Sequence, residues 1–176
     1  MNVVHSVDAY ILRSIQRRCN YDHVTIKHAA GLIEMVLLER LLCAPATYEG
    51  SEIHASVSYY VEQYARSGMA DITIIPYLNR KTMWQLSNKH LGELATIVNH
   101  MLTYEPFEVI TVHDEFKVHP NNANHLRQQY INIFAELAES NLLNDLLSQI
   151  HGVPGTFHKL SNNLGELIRG SNYALS

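Results

Sequence analysis

The sequence predicts a helix-dominant α+β fold: an acidic-tipped β-hairpin packed on helices. Three observations predict it. Apolar residues recur at helical spacing through most of the chain. One β-branched segment, Phe107 to Val118, is interrupted by a polar triplet. No internal repeat or low-complexity stretch disturbs this order.

The elements follow in chain order. Val3, Val4, Val7, Ile11, Leu12 and Ile15 predict a helix from about Ser6 to Cys19, with Arg13, Arg17 and Arg18 where cations suit the helix dipole. Ala29 to Leu42 reads as a buried helix stopped near Pro45. A third helix, Ser51 to Ala65, carries Ile53, Val57, Tyr60 and Tyr64 on one face. Asp71 to Pro76 reads as a short strand or extended edge, and Thr82 to Leu86 as a brief helix. Asn88 to Leu102 is a strongly periodic helix, and Phe107 to Val112 a strand. Helices are then expected over Asn121 to Ser140, Leu142 to Ile150 and Leu164 to Ile168, with a loop at Gly152, Pro154 and Gly155.

The chain has 176 residues, 47% apolar and 17% charged, as expected of one ordinary globular domain with a real core. Its net charge of −4 argues against autonomous binding to nucleic acid, since Lys and Arg supply most non-specific affinity for phosphates. Cys19 and Cys43 form no CxxC pattern, so neither zinc nor a disulfide framework is expected, and a reducing compartment is. No apolar run reaches membrane-spanning length, and Met1 to Val7 lacks a signal-peptide layout. The expected location is the cytoplasm.

The chemistry concentrates in Phe107-Glu-Val-Ile-Thr-Val-His-Asp-Glu-Phe-Lys-Val-His-Pro120. Two apolar runs, Val109 to Val112 and Phe116 to Val118, bracket His113-Asp114-Glu115. A hairpin with acids at its tip holds carboxylates rigidly, and carboxylate oxygens suit hard Mg²⁺. Two such ions about 3.5–4 Å apart clamp the attacking and leaving oxygens of a phosphoryl transfer. The plain alternative is a solvated polar turn.

Val112-His113-Asp114-Glu115 resembles the last acidic motif of the family-A polymerases, whose third residue is Glu in bacterial DNA polymerase I and usually Ser in the phage and mitochondrial RNA polymerases. Asn2-Val-Val-His-Ser-Val-Asp8 resembles the Val-His-Ser-x-Asp motif of the single-subunit RNA polymerases. Pro120-Asn-Asn-Ala-Asn-His-Leu126 resembles the family's Pro-x-x-Ala-x-x-Leu lead into the following long helix. The segment from Asn163-Leu164 to Ser171-Asn-Tyr-Ala-Leu-Ser176 resembles its terminal segment. Together these motifs, in the family's order, point to the carboxy-terminal palm part of a phage-type DNA-directed RNA polymerase.

The resemblance implies that Asp114 binds both Mg²⁺ ions with a partner Asp from outside this chain, and that His113 supports the turn near the primer end. It implies that His5 contacts the minor groove of the hybrid, with Ser6 and Asp8 holding that helix. Read without it, His5 is a histidine at a helix start and Ser6 an N-cap. A triad of His5, Ser6 and Asp8 is rejected, because adjacent residues on a helix, as His5 and Ser6 are, do not face one another. The implied partners are the remaining polymerase region or subunit, a DNA template, an RNA transcript and ribonucleoside triphosphates, with no membrane.

Three departures from the family pattern matter. His5 and His113 stand much further apart than in the short phage enzymes. Three parts are therefore expected: 1–20 with the motif helix, 21–88 as a mostly helical insertion, and 89–176 with the palm hairpin, its following helices and the tail. Glu115 stands where the RNA polymerases usually have Ser, and Tyr173 lies in a tail that ends without the family's two Phe. The family's other catalytic Asp and the nucleotide-binding Lys and Tyr have no place here, so a fragment or a split polymerase is expected, inactive alone. Two alternatives stand beside this reading: part of a family-A DNA polymerase, favoured by Glu115, and a non-enzymatic helical assembly protein, favoured by the acidic charge and the apolar Ala29 to Leu42.

Overall fold

The structure, a computed structural model, describes residues 3–43, 52–112, 115–153, 155 and 157–171. Among them the chain is helix-dominant with one small antiparallel sheet. It divides into two compact units: Asp22–Glu105, continuous in sequence, and a discontinuous one made of Met1–Tyr21 with Pro106–Ser176. The inserted unit therefore runs to Glu105, past the expected boundary at residue 88.

The discontinuous unit contains α1 (Val3–Cys19), β1 (Ile110–Val112), β2 (Glu115–Lys117), α5 (Ala123–Glu139), α6 (Leu142–His151) and α7 (Leu164–Gly170). Its core is built from Ile11, Ile15 and Cys19 of α1 with Leu126 and Ile133 of α5. Burial pushes the Cys19 thiol up to about 12, against the opposing pull of Arg18, so it is an inert core thiol. Arg18 is not a solvated end-of-helix cation. It is 2% exposed, and its guanidinium donates 2.8 and 2.5 Å hydrogen bonds to both oxygens of Glu136 on α5.

In the same last turn of α5, Arg169 of α7 grips Glu139 with both terminal nitrogens, and Lys159 donates to the Glu139 carbonyl. The Arg169 hydrogen bond holds the Glu139 carboxyl below its ordinary range. A Cβ at Gly165 would collide with the Glu139 side chain, so α7 docks this closely only with glycine there. By contrast, no residue of α6 is buried, although Leu142, Leu143, Leu146, Leu147 and Ile150 form one stripe.

The inserted unit contains α2 (His23–Cys43), α3 (Ala55–Ser67) and α4 (Asn88–Met101). Helix α2 starts well before Ala29, because the Asp22 carboxylate accepts from the Thr25 amide at 2.7 Å and caps it. Ile26, Ala29, Ile33 and Val36 are its buried stripe. The next position of that stripe is Arg40, whose guanidinium lies 4.6 Å over the Trp84 ring. The same group donates to the carbonyls of Met83 and Leu86 and to Asn88 Oδ1. The expectation of a buried Ala29 to Leu42 fails here: Leu38, Leu41 and Leu42 lie off the stripe that Val36 and Arg40 continue and are exposed among the described residues.

Two further expectations are corrected. Ile72–Tyr77 is a 3₁₀ helix, not a strand, opened by Asp71, whose carboxylate accepts from the Thr73 amide. With three residues per turn, Ile72 and Ile75 share one side, and Ile74 is buried as well; strict strand alternation would have exposed one of the Ile74–Ile75 pair. Ile53 precedes α3 and is 87% exposed, so it does not belong to that helix's packed face. Thr82–Gln85 is also a short 3₁₀ turn. No helix among the described residues is long and apolar enough to cross a membrane.

Helix α4 matches its expected span, capped by Ser87 accepting from the His90 amide. His90 is 1% exposed, its ring stacked 3.9 Å from that of Tyr64. Burial lowers its pKa to about 4, so it is neutral in the folded chain. The unfolded value is about 6.5, so protons bind the unfolded chain first as pH falls. Full stability is therefore present above pH 6.5 and is lost on acidification toward 4. The expected loss is about 1.4 kcal/mol per pH unit at its steepest and roughly 3 kcal/mol in all. Thermal melts at pH 7 and 4.5 check it, with His90→Gln expected to shrink the difference.

Candidate hairpin site and its supporting helices

The hairpin joins two β-branched or aromatic apolar runs across a short polar turn. Ile110 pairs with Lys117, Thr111 with Phe116 and Val112 with Glu115. Phe107, Val109, Phe116 and Val118 pack against the core of the discontinuous unit, while Ile110, Val112, Glu115 and Lys117 face outward. The expected strand Phe107 to Val112 is paired only from Ile110; the preceding residues belong to the core without a strand partner. The root is held by the Phe107 amide, which donates to the Cys19 carbonyl at 2.8 Å. Phe107 also meets the His125 ring edge-on at 5.4 Å. His125 is 2% exposed, and burial lowers its pKa.

Two residues, His113 and Asp114, fall between the last paired positions Val112 and Glu115, and they lie outside the described residues. Tyr173 does so too. Glu115 is described: it is exposed, and its carboxylate lies 3.3 Å from the Lys117 ammonium on the same face of β2. Among the described residues no group of three or more His, Cys, Asp or Glu side chains could hold a metal ion. Asp114, the carboxylate to which the resemblance assigns Mg²⁺, is not among them.

The second motif lies on the first turns of α1. Because the helix begins at Val3, Ser6 stands inside it and is not its N-cap. His5 and Asp8 are exposed and lie three residues apart, as neighbours on the helix surface, while Ser6 is half-buried. One turn further, Val7 and Tyr10 pack onto the same core as Phe107, Val109, Phe116 and Val118. The motif helix and the hairpin are thus separated by the inserted unit in sequence and share a core in space.

Helix α5 is the third wall. Its Tyr130 stacks on Phe134 at 4.9 Å and meets Phe116 of β2 edge-on at 6.1 Å. Burial, then the nearby Asp8 carboxylate, raises the Tyr130 phenol above its ordinary range. Tyr130, His125 and the Arg18–Glu136 pair all escaped sequence reasoning. Tyr130 and Phe134 stand four apart on α5, a spacing that could have flagged their stacking, but Arg18 and Glu136 lie 118 residues apart and carry no local signal of pairing.

No protein-family model matches this chain, and no curated protein matches it significantly.

Proposed function

We propose that this chain is the carboxy-terminal palm part of a phage-type DNA-directed RNA polymerase, incomplete without a region or subunit bearing the second Asp and the fingers. One observation carries the reading. The motif helix with His5, Ser6 and Asp8 and the hairpin flanking His113 and Asp114 belong to one compact unit with a common core, although residues 22–105 intervene. A chance match of two short motifs has no reason to produce that juxtaposition.

In this reading the RNA 3′-hydroxyl attacks the α-phosphate of a ribonucleotide and pyrophosphate leaves. Asp114 would hold Mg²⁺ together with the external Asp, the metal supplying charge stabilisation, and His113 would support the turn. His5, with Ser6 and Asp8 beside it, meets the hybrid of DNA template and transcript. The protein's share of catalysis is positioning and charge stabilisation.

The test is capture of tagged chain from its native context, followed by Mg²⁺-dependent ribonucleotide incorporation on a DNA template. Activity is expected only with a co-purified larger polymerase chain, and Asp114→Ala is expected to reduce it at least 1,000-fold, on the order of the loss seen when a catalytic group is removed. Incorporation indifferent to Asp114 sinks the reading. A second reading, a non-enzymatic assembly protein, draws on the exposed Leu38, Leu41 and Leu42 of α2 and the uncovered stripe of α6. Capture of a partner with no polymerase activity would bring it forward. Deoxyribonucleotide incorporation would instead favour a family-A DNA polymerase.

A further inference from the structure

Helix α2 is apolar on two sides, and among the described residues only one side is covered. Ile26, Ala29, Ile33 and Val36 are buried, and the helix packs on α4. On the opposite side Val24, His28, Gly31, Met35, Leu38 and Leu42 are all exposed. Their spacing alternates strictly between four and three residues, the 3.5-residue repeat of a seam between two helices. Val24, Leu38 and Leu42 are each more than half exposed. A helix packed from one side alone carries polar residues at such positions.

Gly31 is an independent sign of an outside partner. It stands mid-helix, where glycine weakens a helix more than any residue but proline. Its φ is not left-handed, and a Cβ added there meets nothing within 4 Å. The inserted unit therefore gives no reason for glycine at this position. At the middle of an exposed seam it leaves a hole that a side chain of another helix can enter.

We propose that this seam pairs with the same seam of a second copy of the chain, antiparallel about a two-fold axis. The seam is complementary to itself in that arrangement. Gly31 receives the partner's Met35, and symmetry repeats the contact in reverse. In the same register Val24 meets the partner's Leu42 and His28 meets the partner's Leu38, so every seam position is used. Lys27 comes beside the partner's Leu41, which its methylene stem covers. Sliding by one heptad either way strands Leu38 and Leu42, or else Val24 and His28. A parallel pair would set glycine on glycine and bring Glu34 to the partner's Glu39.

The seam is about 27 Å long, and a helix pair of that length buries on the order of 1,000 Å² in total, near the lower limit for a specific interface. A weak dimer follows, formed at tens of micromolar and aided by a helix already folded on its own core. The register also sets Glu34 against the partner's Glu34 across the axis, and that repulsion gives the pair a signature. None of this depends on the polymerase reading.

Sedimentation equilibrium of the full chain from about 1 to 300 µM is expected to show monomer and dimer in exchange. Gly31→Leu fills the hole and is expected to weaken the dimer at least about 10-fold. Its melting midpoint in dilute solution should hold or rise, because leucine is the better helix former. Glu34→Lys mixed with wild type sets an ammonium against a carboxylate at the axis, and the mixed dimer is expected to be about 10-fold tighter than either parent dimer. A chain that stays monomeric throughout overturns the proposal. A dimer unmoved by Gly31→Leu, or a mixed dimer no tighter than wild type, overturns it as well, because the contact then lies on another face.

Discussion

Excising residues 22–105 and joining Tyr21 directly to Pro106 is expected to leave a folded, cooperatively melting protein, within about 2 kcal/mol of the parent unit's stability. The geometry at the junction supports this. The Phe107 amide already donates to the Cys19 carbonyl at 2.8 Å. After excision, Phe107 becomes the fourth residue after Cys19, the spacing at which an amide reaches a carbonyl within one turn. The inserted unit closes its own ends as well: His23 Nδ1 lies 3.7 Å from the Glu105 carboxylate. An insertion whose fold holds its termini together imposes no long-loop closure cost on its host, and even a disordered one costs only slowly more with length.

Circular dichroism melts of the excised chain, and of 22–105 expressed alone, check the prediction. Because Pro106 disfavours a helical Tyr21 before it, a second variant with a Gly-Ser spacer separates a strained joint from a dependent fold. If neither variant folds, the two units are one cooperative system and the insertion is not separable.

Arg18→Ala is expected to destabilise the discontinuous unit by about 3 kcal/mol, read as a lower urea midpoint at constant m. Arg18 is almost fully buried, while the Glu136 side chain keeps 25% of its surface. Removing the guanidinium strands a carboxylate that water reaches only in part, which places the cost at the lower end for a broken buried pair. The double change Arg18→Met with Glu136→Leu removes both charges and is expected to recover most of the loss, because much of the single variant's penalty is the unpaired charge. If Arg18→Ala costs less than 1 kcal/mol, the pair is solvated and does not clasp α1 to α5. In the polymerase reading this clasp carries added weight, since α1 presents His5 and Asp8.

Much of this architecture is legible in the residues. Asn88 to Leu102 was visible from Leu91, Leu94, Ile97, Val98 and Met101, all of which are buried in α4. The two apolar runs around His113-Asp114-Glu115 announced a hairpin, and the pairing of Thr111 with Phe116 is that hairpin; which side turns inward was not legible, since apolar Ile110 and Val112 face outward. The start of α2 was also encoded, in Asp22 and Thr25, but the cap was overlooked because the apolar run begins later. Ile72 to Ile75 misled for a different reason: β-branched residues describe a half-buried surface, and a capped 3₁₀ turn can supply one as well as a strand.

For the candidate site, the two motifs and the acidic turn were readable as residue patterns, whereas the company they keep was not. By itself the sequence determined most of the local elements, the place of the hairpin and the residues that could do chemistry, because each depends on neighbours within a turn or a strand pair. Only the tertiary structure decided that the second unit spans Asp22–Glu105, that α1 and the hairpin share a core, that Arg18 is buried on Glu136, and that the last turns of α2 are left uncovered. Periodicity reports that a helix has an apolar stripe. Whether a neighbour arrives to cover that stripe depends on contacts between residues far apart in the chain, and those leave no periodic trace.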